Sequence, residues 1–270
     1  MAPARPVFII SDHTGITAEI IGKSLLSQYP GEAFMTVSLP FVDTPDKVRV
    51  AAARIRDAWQ ASNLKPLIFS TMTDAESRTI LESTGAVMLD VYGHFLGVMS
   101  SELGRPAVPI KGQSHSASDA DAYHDRIDAV NYALASDDGL ATQKYVQADL
   151  ILVGVSRSGK TPTSLYMAMQ YGMKIANYPL TPENFEQAGL PDVLRPHLGK
   201  LRGLTLRPER LAAIRSERRP NSNYAALETC RQEIAAAERM MTEAGIPILD
   251  SSARSIEEIA ALLRQSCALP

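Results

Sequence analysis

Asp149-Leu150-Ile151-Leu152-Val153 runs straight into Gly154-Val155-Ser156-Arg157-Ser158-Gly159-Lys160-Thr161, and that into Pro162-Thr163-Ser164-Leu165-Tyr166-Met167-Ala168-Met169-Gln170. The first run is short, apolar and partly β-branched, which reads as a buried parallel strand. The last carries proline in its first helical turn, where a missing N–H costs nothing. Between them the spacing Gly-x-x-x-x-Gly-Lys-Thr is met without a mismatch. Strand, glycine turn and helix in that order are the context a phosphate-binding loop requires. Gly154 and Gly159 let the main chain bend so that N–H groups from Val155, Ser156, Arg157 and Ser158 converge on a polyphosphate. The helix start adds the positive end of its dipole. Lys160 would then neutralise the terminal phosphates, and the Thr161 hydroxyl would hold Mg²⁺. A plain glycine turn would explain the two glycines, but not the lysine and threonine in register with them.

Bulk properties narrow the class. The 270 residues are 45% hydrophobic and 21% charged, ordinary for a globular protein and enough for one large or two medium α/β domains. A formal net charge of −3 gives no basic footprint for nucleic acid as the main partner. Cys230 and Cys267 have neither metal-ligand nor redox spacing, so they read as reduced thiols. The run Pro6-Val7-Phe8-Ile9-Ile10 is too short for a signal-peptide core, and no stretch is long enough to span a membrane. A cytoplasmic location is the expectation.

Outward from the loop, strand and helix patterns alternate. Towards the N-terminus the expected strands are 7–10, 35–39, 66–69 and 86–91, with helices 16–26, 45–60 and 74–82. Residues 104–121 lose periodicity and read as an irregular connector; a helix over 123–135 follows, with Ile127, Val130 and Leu134 on one face. Towards the C-terminus the expected strands are 173–176, 201–206 and 246–249. Helices start at Pro208, Tyr224 and Ser255, the last with Ser255 and Glu258 as a capping box. Such alternation predicts an α/β fold of two domains with mainly parallel sheets. They divide near 136–148, into 1–140 and 141–270.

Candidate chemistry outside the loop is more open. Asp137-Asp138-Gly139 reads as a solvated turn, or as a carboxylate that accepts a proton or binds Mg²⁺. Asp250, at the end of an apolar strand, reads equally as a metal ligand or as a turn residue before the last helix. Arg207, Arg210, Arg215, Arg218 and Arg219 form a charge run, usually a solvated face; Arg218 and Arg219 are the candidates for phosphate contact. Ser11-Asp12-His13-Thr14-Gly15 follows a strand and precedes a helix, so it could present a polar ligand-facing edge, although capping the helix is the commoner use of a residue such as Thr14. His115 sits in the connector, while His13, His94, His124 and His197 belong to no constellation.

The segment 154–166, continued through Ala176-Asn177-Tyr178-Pro179-Leu180, resembles the bacterial phosphoenolpyruvate synthase regulatory proteins, relatives of the pyruvate, phosphate dikinase regulatory proteins. The resemblance extends to Ile10-Ser11-Asp12-His13-Thr14-Gly15-Ile16-Thr17-Ala18-Glu19, Arg126-Ile127, Asp137-Asp138-Gly139, Asn221-Ser222-Asn223-Tyr224-Ala225 and Ile256-Glu257-Glu258-Ile259-Ala260. It implies a bifunctional enzyme acting on a threonine beside the catalytic histidine of its target. ADP would be the phosphoryl donor that inactivates the target. Inorganic phosphate would reverse the modification by phosphorolysis, releasing pyrophosphate. The resemblance also favours Asp138 as the catalytic carboxylate, and Ser11, Asp12 and His115 as contacts to target or phosphate. The protein partner implied is phosphoenolpyruvate synthase, with the dikinase as alternative; a homodimer is compatible with either. Two further alternatives are a kinase for a small metabolite and a nucleotide-responsive binding module without transfer.

Overall fold

The computed structural model describes residues 4–108, 120–186 and 189–266. His115, Cys267 and most of the expected connector lie outside them. The chain forms two compact units, Met1–Ser116 and Ala117–Pro270. The helix before Asp137 therefore groups with the second unit, upstream of the 140/141 division read from sequence.

The first unit runs β1 (Arg5–Ile10), α1 (Ile16–Leu26), β2 (Phe34–Leu39), α2 (Pro45–Ser62), β3 (Leu67–Ser70), α3 (Ala75–Glu82), β4 (Val87–Asp90) and α4 (Val91–Leu103). Its sheet is all parallel with order β2-β1-β3-β4. Side-chain alternation along β1 and β3 sorts the core into two layers. Phe8, Ile10 and Ile68 pack with Val48, Ala51 and Ile55 of α2 and Leu81 of α3. Val7, Ile9 and Phe69 pack with Ala18 of α1. Helix starts follow the residue chemistry: Thr44 accepts from Lys47 N ahead of Pro45, and Asp74 accepts from Ser77 N. Asp90 both ends β4 and caps α4 by accepting from Gly93 N. The sequence reading missed α4 for that reason. No loop separates it from the strand, and Phe95, Val98, Met99 and Leu103 are exposed, which blurs its period.

The second unit begins with α5 (Ala120–Ala135) and two 3-10 turns, at Asp137–Gly139 and Thr142–Gln147. Then come β5 (Leu150–Val155), α6 (Lys160–Tyr171), β6 (Ile175–Leu180), the short α7 (Pro182–Phe185), β7 (Leu201–Thr205), α8 (Pro208–Arg218), α9 (Leu227–Glu243), β8 (Ile248–Asp250) and α10 (Ile256–Ser266). This sheet is also all parallel, with order β6-β5-β7-β8. Every residue of β5 is buried, as its unbroken apolar run predicts. Ile151, Val153 and Val155 face Ile234, Ala237 and Met241 of α9, while Leu150 and Leu152 face Met167 of α6 and Ile259 and Leu263 of α10. Each such side chain contributes about 2 kcal/mol by leaving water.

Three expectations are corrected here. The buried face of α5 is Ala129, Tyr132 and Ala133, not Ile127 and Leu134, which are exposed. Ala129 and Ala133 meet Ala168 of α6, so small side chains bring the two helices together. Strand β6 continues past Ala176 through Asn177 and Pro179. A proline is tolerated because β6 is the edge strand. Finally, α9 starts at Leu227, because Asn223–Ala225 form a separate 3-10 turn. The capping box at Ser255 and Glu258 is formed in both directions.

Candidate active site

Loop 154–159 links β5 to α6 at the carboxyl end of the sheet. Gly154 has φ 155° and Gly159 φ 93°, while Arg157 is left-handed at φ 75°. A Cβ on Gly154 would stand 2.3 Å from the carbonyl oxygen of Leu204, so only glycine fits between β5 and β7. Gly159 precedes α6 with no side-chain cap, which leaves the first N–H groups of a twelve-residue helix unsatisfied. Those donors and the helix dipole make this end of α6 an attractive place for an anion.

Lys160 is 4% exposed and curls back, its Nζ donating to Gly154 O at 3.1 Å and Val155 O at 2.9 Å. Burial pushes its ammonium down from 10.5 to about 8, against the pull of the Asp138 and Asp137 carboxylates. Asp138, Ser156, Arg157, Lys160, Thr161 and Arg218 line a cleft of about 300 Å³ over the loop. Three cationic side chains and one carboxylate thus surround a space of the size small ligands occupy. The sequence candidates Lys160, Thr161, Asp138, Arg157 and Arg218 come together here. Arg219 lies exposed at the end of α8 and does not line the cleft.

Of the pair Asp137-Asp138 the sequence singled out Asp138, and it gave Asn177 no role at the site. Asp137 Oδ1 accepts from Thr161 Oγ1 at 2.8 Å and from Asn177 Nδ2 at 2.5 Å. Asn177 Oδ1 in turn accepts from Asp138 N at 3.0 Å, and Asn177 N donates to Ser136 O. The Asp-Asp-Gly turn is thereby pinned to β6, with Asp137 half-buried and Asp138 exposed. Asp138 is held at φ 47° beside Gly139 at φ 76°, a conformation few non-glycine residues adopt. The available signal was Asn177, a polar residue in an apolar strand, fully buried in the structure. Thr161 and Asp137 offer oxygen donors of the kind a hard divalent cation takes. Asp250 Oδ1 accepts from Ser252 N at 2.7 Å, and its main-chain oxygen accepts from Arg254 Nη1. Its bond from Ser252 holds its carboxyl below the usual range. Among the described residues no group of three or more His, Cys, Asp or Glu could hold a metal ion.

The loop is braced from the C-terminal third of the chain. Arg215, expected on a solvated face, is fully buried instead. Its Nη2 donates to Ser156 O at 3.2 Å and to Glu233 Oε2 at 2.6 Å, and its Nη1 donates to Tyr224 O at 3.0 Å. The guanidinium stacks 4.0 Å from the Tyr224 ring, and the Tyr224 hydroxyl meets Ser156 Oγ at 3.0 Å. Ser251 adds a bond to Ser158 O. Ser11 and Asp12 lie in the first unit, after β1, and are nearly fully buried. Thr14 does not cap α1; Gly15 occupies that position with no side-chain bond.

The parallel α/β unit thus gathers an uncapped helix start, a buried lysine and a pair of carboxylates around one cleft. Residues 7–263 match the model of the kinase/pyrophosphorylase family, and the chain belongs to that family. Its relatives include proteins named "Putative phosphoenolpyruvate synthase regulatory protein". The Bordetella parapertussis protein is 49% identical over 98% of this chain and 96% of its own. That of Azoarcus sp. is 49% identical over 99% and 97%, and that of Stenotrophomonas maltophilia 50% over 96% and 94%. No helix among the described residues is long and apolar enough to cross a membrane.

Proposed function

We propose that the chain is a cytoplasmic, bifunctional serine/threonine kinase and phosphorylase that controls phosphoenolpyruvate synthase. The β-phosphoryl group of ADP passes to a threonine oxygen of the target. The bond between that phosphorus and the α,β-bridging oxygen breaks, AMP leaves, and the threonine proton goes to the Asp138 carboxylate. In the reverse direction a phosphate oxygen attacks the phosphothreonine phosphorus. The threonine oxygen leaves and takes a proton, and pyrophosphate is the product. Phosphoryl transfer of this kind needs positioning and charge neutralisation more than covalent help.

The observation that carries this reading is the placing of Asp138 in the same cleft as Lys160, Thr161 and Arg218, fixed by the Asn177 bond. Lys160 and Arg218 would bind the diphosphate together with the amides at the start of α6. Thr161 and Asp137 would hold Mg²⁺, which supplies charge neutralisation between the phosphates. Family membership and the names of the relatives support a kinase or pyrophosphorylase directed at phosphoenolpyruvate synthase.

The test is to incubate the protein and purified synthase with Mg²⁺ and ADP labelled on its β-phosphate. Label should reach a synthase threonine and leave as pyrophosphate when inorganic phosphate is added. Asp138→Asn is the informative variant, because asparagine tolerates the left-handed backbone at this position. It should bind ADP and lose transfer. Wild-type transfer by Asp138→Asn would refute the proton-acceptor assignment, and no labelled threonine with the wild-type pair would refute the function.

A further inference from the structure

Helix α4 gives almost nothing to the core of its own unit: of its thirteen residues only Val91 is buried. Phe95, Val98, Met99 and Leu103 lie along one side of it, at i, i+3, i+4 and i+8, the spacing by which a helix normally reaches a core. Here each of them is 52–64% exposed. Beside it, α1 leaves Ile20 64% and Leu25 49% exposed. Ile21 and Leu25 of α1 and His94 and Phe95 of α4 line one groove of about 560 Å³. The two helices thus present a single apolar face, and α4 holds one carboxylate, Glu102, and no lysine or arginine.

These six exposed side chains, each showing somewhat over half of roughly 200 Å², leave on the order of 700 Å² of apolar surface in water. The largest bare patch of a typical monomer is about 300–600 Å². Each partner of a standard two-chain interface gives about 800 Å². The face therefore has the area of half an interface. Its chemistry narrows the partner, because interfaces that form and dissolve are about as polar as the remaining surface, and permanent ones are more apolar. A transient partner would leave this face wet between encounters. A second copy is present wherever the chain itself is, and can cover the face permanently.

We propose that the α1–α4 face joins two copies of this chain about a two-fold axis. Such a contact must be self-complementary, and this face carries both halves. Val98 and Met99 form the ridge, and the groove between α1 and α4 receives the same ridge from the other copy. Gly97, next to Val98, lets the other copy's backbone come close, since nothing of its own chain stands within 4 Å of where a Cβ would be. The interface uses the first unit alone and is independent of the phosphoryl chemistry proposed above.

The test weighs the full chain by sedimentation equilibrium, with neither nucleotide nor target present. The wild type should have twice the 29.3 kDa mass of the chain. Phe95→Glu and Ile20→Glu each put a charge at an exposed position of one helix, and both should give the single-chain mass with an unchanged circular dichroism spectrum. Val146→Glu, at a position 68% exposed in the second unit, should keep the doubled mass. Hydrogen exchange read by mass spectrometry adds a measure at α4 itself. Amides 91–103 should exchange at least roughly tenfold slower in the wild type than in Ile20→Glu, whose substitution lies on the other helix. A single-chain mass for the wild type at every concentration would overturn the proposal, and would mean that the chain's own residues or a different protein covers the face. A doubled mass in both Phe95→Glu and Ile20→Glu, its loss in Val146→Glu, or equal exchange over 91–103 would overturn it as well.

Discussion

On the proposed function, the depressed ammonium of Lys160 would make nucleotide binding a proton-linked event. In the free protein the group titrates at about 8 instead of 10.5, because it is buried against the carbonyls of Gly154 and Val155. At roughly 1.4 kcal/mol per pH unit, keeping it charged in the empty loop costs about 3 kcal/mol. A diphosphate restores the partner that burial removed, so the bound lysine is fully protonated. Below pH 8 the free and bound forms both carry the charge, and affinity for Mg·ADP should be flat. Above pH 8 the free lysine is neutral and binding must draw a proton from solution. Affinity should then fall by about tenfold per pH unit. Calorimetry from pH 7 to 9.5, in two buffers of different ionisation heat, measures both quantities. At pH 9 each ADP should take up close to one proton, and Lys160→Met should show neither the slope nor the uptake. Stability carries the complementary sign. Between pH 8 and 10.5 the unfolded chain holds a proton that the folded chain lacks, so the wild type gains stability as pH rises through that window. An affinity and a proton count unchanged across pH 8 would refute the reasoning.

Other expectations are more local. Gly154→Ala drives a methyl group into the Leu204 carbonyl and should lower stability by about 3 kcal/mol, read by urea unfolding, and abolish ADP binding. Arg215→Ala leaves Glu233 buried without its partner and should cost about 4 kcal/mol in the same measurement. Asp137→Asn keeps an oxygen for Thr161 and Asn177 but removes the charge. Calorimetry should show the Mg²⁺-dependent gain in ADP affinity reduced by at least roughly tenfold, with a stability change below about 2 kcal/mol.

Local chemistry explains what could be read in advance. The strand, loop and helix around 154–161 were legible because each is written in contiguous residues: apolar run, glycines, Lys-Thr, proline. The parallel alternation and the Ser255 capping box were legible for the same reason. Asp137 stood in the carboxylate pair, but its bonds were not legible, because they depend on Asn177, forty positions away and visible as a partner only once β6 lies beside the turn. Arg215 was misread because a charge on a helix is usually solvated, and only the approach of Glu233 and Tyr224 reverses that. The face of α5 failed by size: alanines, not the larger apolar residues, make the close approach to α6. Asp250 sits where the strand pattern put it, with Oδ1 accepting from Ser252.

The bracing of Ser156 by Arg215 and Tyr224 also fixes when the loop can become competent. A ribosome delivers residues 154–161 well before α8, α9 and the Asn223–Ala225 turn emerge, so the nascent loop lacks its guanidinium strut. Shaping of the loop is therefore a late event of biosynthesis, and a prematurely terminated polypeptide ending ahead of Glu233 would hold the complete glycine motif without its brace.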